Sequence, residues 1–74
     1  MIKEHDRVVL TTKKPDAGLE AGDVGTVVHI YSEGEAFEVE FVTLTGDTVA
    51  VLTVERDDVR PVQSRELTHA RGME

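Results

Sequence analysis

Glu38 and Glu40 are the residues of this chain best placed to do chemistry together, because a spacing of two puts both carboxylates on one face of a strand. His29 falls opposite Glu38 if the chain reverses at Glu33-Gly34. Two carboxylates and an imidazole could hold a divalent cation weakly. A dedicated ligand spacing such as His-x-x-x-His is missing, however, and acidic strands produce such groupings by chance. Nucleophilic catalysis needs an activated Ser, Cys, Thr or Lys beside an oriented base. Here cysteine is absent, the histidines (His5, His29, His69) are scattered, and no Gly-x-Ser-x-Gly elbow occurs. Gly22-Asp23-Val24-Gly25 has the look of a phosphate loop, but it lacks the lysine and the following helix, and its aspartate repels phosphate. The expectation is a protein with no catalytic residue, no metal and no cofactor, in which His29 and Glu38 form an ordinary cross-strand pair.

Binding is the remaining class of role, and charge constrains the partner. The chain has 74 residues and a net charge of −7. Residues 15–58 hold eleven acids and a single base, Arg56, for a balance of −10, whereas the segments on either side carry more bases than acids. Such a body repels phosphate backbones and favours a basic partner. Nucleic-acid modules need basic residues and exposed rings for stacking. Of the three aromatics, Phe37 and Phe41 fall on an inward face, leaving Tyr31 as the natural anchor for a protein partner. The same shortage of rings argues against a proline-rich peptide groove. No run reaches the roughly 18 apolar residues of a membrane span, and the charged start Met1–Arg7 lacks the apolar segment of an export signal, so the expected compartment is the cytoplasm.

The elements that must position these residues read as strands throughout. Asp6 to Thr11 is the first, with Val8 and Leu10 on one face. Lys13 to Gly22 is a loop whose single large apolar residue, Leu19, would plug the core. Asp23–Ser32, Glu35–Leu44, Thr48–Glu55 and Val59–Val62 complete five strands, with Arg56-Asp57-Asp58 the right length for one 3₁₀ turn. A two-residue turn at Glu33-Gly34 pairs Ile30 with Phe37, Val28 with Val39 and Thr26 with Phe41 on the inner face. It leaves His29–Glu38 and Val27–Glu40 outside, and a slip by one residue would bury both glutamates. Gly25, inside the second strand, marks a bend, a bulge or a close approach. The fold expected is all-β: a small SH3-like five-stranded barrel over residues 1–62, followed by a disordered or loosely docked tail over 63–74.

A turn at Gly46-Asp47 sets Phe41 against Leu52 and Val39 against Val54. The other face then collects Val42, Leu44, Val49 and Val51 where polar residues belong. Either a bent strand tucks this cluster beneath Leu19, or it is an exposed patch that docks a partner or a second copy of the chain.

Asp6-Arg7-Val8-Val9-Leu10, Gly18-Leu19-Glu20-Ala21-Gly22-Asp23-Val24-Gly25-Thr26-Val27-Val28, Ala36-Phe37-Glu38-Val39-Glu40-Phe41 and the ending Val49–Val62 occur in order. In that arrangement the chain resembles the bacterial domain-of-unknown-function family numbered 4926, over roughly residues 4 to 62. No activity carries over to individual positions. The resemblance implies the small partner of a two-gene cassette, sometimes beside a larger toxin-like protein, and an acidic barrel masking a basic toxin fits the charge balance. A looser similarity joins Asp23-Val24-Gly25-Thr26-Val27-Val28 to the KOW motif of transcription and ribosomal proteins, whose basic residues are missing here. The leading expectation is a non-enzymatic, antitoxin-like or adaptor module that binds a basic protein through Tyr31, Glu38, Glu40, Val42, Leu44, Val49 and Val51. A nucleic-acid- or ribosome-associated module is the alternative.

Overall fold

A computed structural model describes residues 1–73; residue 74, the last of the expected tail, lies outside the described residues. Five antiparallel strands form one sheet: β1 (Arg7–Leu10), β2 (Val24–Tyr31), β3 (Ala36–Val42), β4 (Thr48–Glu55) and β5 (Val59–Pro61). The sheet order is β4-β3-β2-β1-β5, so β2, β3 and β4 form a meander and the chain then returns to lay β5 beside β1. The only helical pieces among the described residues are 3₁₀ turns at Pro15–Ala17 and Arg56–Asp58. The protein is therefore all-β. Its hydrogen-bonded sheet is open, since no ladder joins β4 to β5 among the described residues.

The core follows from strand alternation. Val8 and Leu10 of β1, Val27 of β2, Phe37, Val39 and Phe41 of β3, Val54 of β4 and Val59 of β5 are buried together. Leu19 joins them from the loop as the expected plug. Its backbone pairs both ways with Lys14 (2.9 and 3.0 Å), which closes the base of the loop. Pro61, which has no N–H to donate, sits at the end of the outermost strand, where a proline is tolerated. Asp58 fixes the second 3₁₀ turn: its carboxylate accepts the Glu55 N–H at 3.1 Å and pairs with the Lys14 ammonium at 3.1 Å.

Two bulges revise the expected register. The first hairpin holds for Ile30–Phe37 and His29–Glu38, and then slips. Val39 faces Val27 instead of Val28, and Glu40 faces Thr26 instead of Val27; Val28 is the extra residue and is exposed beside His29. The physical reason is that β2 must face the core at both ends while being bent between them, and an inserted residue both bends a strand and resets its alternation. Glu38 and Glu40 stay outside because β3 itself is regular.

The second hairpin closes through Thr43–Asp47, not through a two-residue turn. Thr43 N–H donates to the Asp47 carbonyl at 2.8 Å and Asp47 N–H to the Thr43 hydroxyl at 3.0 Å. The pairing consequently moves by two residues, to Val39–Leu52 and Phe41–Ala50, and each residue keeps its face because the strand period is two. A further shift between Phe41 and Val42 makes Val49 the extra residue on β4.

Candidate functional site

The outward face of β2, β3 and β4 brings together most of the residues singled out from the sequence. No lysine or arginine occurs in any of these three strands. Glu38 stands at the centre of the face. Its Oε1 accepts a hydrogen bond from the Thr53 hydroxyl of β4 at 2.7 Å and another from the Tyr31 hydroxyl of β2 at 3.2 Å. Glu40, two residues along, accepts from the Thr48 hydroxyl at 3.0 Å. Hydroxyl donors orient both carboxylates without neutralising them, so their negative charge remains directed outward.

Tyr31 is half-exposed and meets the His29 ring edge-on, with centroids 4.5 Å apart. Partial desolvation and the neighbouring Glu38 carboxylate raise its hydroxyl pKa above the ordinary value. The turn that carries Tyr31 is strained: Ser32 and Glu33 both have positive φ, 49° and 58°. Non-glycine residues enter that region at a cost of about 1–2 kcal/mol each. His29 approaches Glu4 of the amino-terminal segment at 3.8 Å, so its nearest ionic neighbour differs from its cross-strand neighbour Glu38.

The apolar quartet divides. Val42 and Val51 are 48% and 49% exposed and border the glutamates. Leu44, 80% exposed, lies at the tip of the Thr43–Asp47 loop, which hydrogen bonds among Thr43, Thr45 and Asp47 hold in shape. Val49 parts from the other three, because the bulge opposite Phe41 and Val42 turns it against the core. The surface is thus a pair of carboxylates flanked by exposed valines on one side and an aromatic pair on the other. It is shallow, and among the described residues no three His, Asp or Glu side chains converge as metal ligands.

A second polar cluster, outside this face, was not foreseen from the sequence. It joins the Gly18–Asp23 stretch to the tail through Asp23, Arg71 and His69. The signal available was charge complementarity: an acidic body followed by a segment with more bases than acids. Asp23, whose charge repels phosphate, is instead the acceptor for the Arg71 guanidinium.

This geometry defines a small all-β protein with an acidic, partly apolar sheet face. Residues 4–61 match the family described as Domain of unknown function (DUF4926), and the chain belongs to that family. No curated protein and no solved structure matches it. No helix among the described residues is long and apolar enough to cross a membrane.

Proposed function

We propose that this protein is a non-enzymatic interaction module of SH3-like barrel type that docks a basic protein on the outer face of β2, β3 and β4. The observation that carries the reading is the pair Glu38 and Glu40, held by hydroxyls alone on three strands without a lysine or arginine. Val42, Val51 and Tyr31 supply apolar contact at the border, and Leu44 extends it at the loop tip. The order β4-β3-β2-β1-β5 and the 3₁₀ turn before β5 are consistent with the barrel type. An adaptor or antitoxin-like role in the bacterial cytoplasm, beside a basic and nucleic-acid-acting protein, accords with this charge and with a chain that has no cysteine. Isosteric neutralisation tests it. The Glu38→Gln/Glu40→Gln protein keeps the hydroxyl contacts and loses the charge. Capture from a host lysate should recover a basic protein with the native chain, less of it as salt rises, and little with the double variant. Equal capture by both chains would overturn the reading, as would retardation of RNA or DNA by the native chain at physiological salt.

A further inference from the structure

Arg71 is seated in a receptor built by a single short loop. Its Nε donates to Asp23 Oδ1 at 2.9 Å, and its Nη2 donates both to Asp23 Oδ2 and to the Gly18 carbonyl, the latter at 2.9 Å. Its Nη1 lies 3.7 Å from Glu20 Oε2. His69 Nε2 is 3.1 Å from Asp23 Oδ1, and the Met73 methyl packs beside Gly18. A planar guanidinium with a fork of donors fits this set; an ammonium does not.

The loop that builds the receptor has hydrogen bonds of its own, in which Arg71 takes no part. The Glu20 N–H donates to Asp23 Oδ2 at 2.8 Å, and the Asp23 N–H donates to the Glu20 carbonyl at 3.1 Å. Gly22 N–H to Leu10 carbonyl (2.7 Å) and Leu10 N–H to Asp23 carbonyl (2.8 Å) tie the loop to β1. Positive φ at Gly18 (74°) and Gly22 (99°) gives the loop its two sharp corners, and Leu19 anchors it in the core. With Arg71 seated, the Asp23 side chain is only 12% exposed, so the guanidinium and the carboxylate shield each other from water. By contrast, no backbone–backbone hydrogen bond ties the described residues beyond Val62 to the sheet; side chains hold them, including the Arg60–Glu66 pair. Segments held in this way open at low cost. The receptor also lies inside the family match at residues 4–61, whereas Arg71 lies outside it.

We propose that Gly18, Glu20 and Asp23 form a binding site for an arginine presented by a protein segment, and that Arg71 fills it as an internal ligand which such a segment displaces. This site is separate from the outer sheet face. It stands even if Glu38 and Glu40 bind nothing.

The test uses the full chain with Arg71→Ala, and a peptide spanning residues 67–73 added in trans. A second peptide with lysine in the arginine position serves as the comparison. Amide shifts of Gly18, Gly22 and Asp23 report binding. A tethered ligand acts at an effective concentration of order mM, so removing Arg71 should improve the apparent affinity for the arginine peptide by about tenfold or more over the native chain. The lysine peptide should bind at least about tenfold more weakly, and Asp23→Asn in the same background should abolish binding. Equal binding by native and Arg71→Ala chains, equal binding of the two peptides, or shifts that leave residues 18–23 unmoved would overturn the proposal. If Arg71→Ala unfolds the protein, the Arg71→Lys chain carries the same titration. Unfolding of both would show that Arg71 is a fixed part of the fold, which also overturns it.

Discussion

Adding one methyl group at Gly25 tests the packing on which the whole sheet depends. Gly25 lies in β2 opposite Val8, and a Cβ there would sit 2.5 Å from Val39 Cγ1, 2.9 Å from Phe41 Cε1 and 3.0 Å from the Glu40 carbonyl oxygen. Carbon atoms rest about 3.5–4.0 Å apart, so the first of these is an overlap of an ångström or more. Val39 is fully buried and the Glu40 oxygen is backbone, so neither can give way locally. Overpacking of this kind costs about 1–3 kcal/mol, and the top of that range applies because the obstruction is rigid. Replacing glycine by alanine returns roughly 0.5–1 kcal/mol by restricting the unfolded chain. The net expectation for Gly25→Ala is a loss of about 2 kcal/mol, a large share of the roughly 4–11 kcal/mol available to a chain of this size. Thermal unfolding followed by circular dichroism should show Tm lower by about 8–16 °C. Urea unfolding should show a lower midpoint with an unchanged slope. The double change Gly25→Ala/Val39→Ala should cost less than the sum of its parts by about 1 kcal/mol, because it removes the principal overlap. A Tm within about 3 °C of the native chain would refute the reasoning, since no steric conflict of that size could then exist.

The division of the apolar quartet predicts opposite behaviour at two valines. Val42→Lys should change stability by no more than about 0.5 kcal/mol, as exposed substitutions do, whereas Val49→Lys should cost about 2 kcal/mol by forcing an unpaired charge against the core; equal melting temperatures would refute the placement of Val49. Acid should release the tail before it unfolds the sheet. The Arg71 hydrogen bonds, opposed by burial and aided by the Glu20 N–H, hold the Asp23 carboxyl down at about 2, so its contribution is complete above its unfolded value near 4 and disappears as pH falls from 4 towards 2. A carboxyl-carbon NMR titration should give Asp23 that low midpoint, and Arg71→Ala should raise it. An unmoved midpoint would show that Arg71 is not what lowers it.

Much of the architecture was legible because β alternation is a local property. Val8 and Leu10, or Phe37, Val39 and Phe41, can point inward together only if Glu38 and Glu40 point outward, so the acidic face follows from β3 alone. Leu19 was recognisable as the plug because it is the only large apolar residue in its loop. The bulges at Val28 and Val49 were not legible. An inserted residue reflects how far a strand must bend to keep both ends on a shared core, and that requirement appears only when β1 and β4 are in place around it. The same is true of Gly25: its letter signals a special position, but only the packed sheet shows that Val39 and Phe41 occupy the space a side chain would need.

The amino-acid order by itself determined the all-β class, the five strands, the inward phenylalanines and a negatively charged exterior, because each depends on neighbours two residues apart or on simple summation of charge. Tertiary structure alone decided which valines reach solvent, how the second hairpin closes, and that Arg71 meets Asp23 across 48 positions of chain. Contacts at that separation depend on where folded elements bring side chains in space, and no periodicity along the chain encodes that distance.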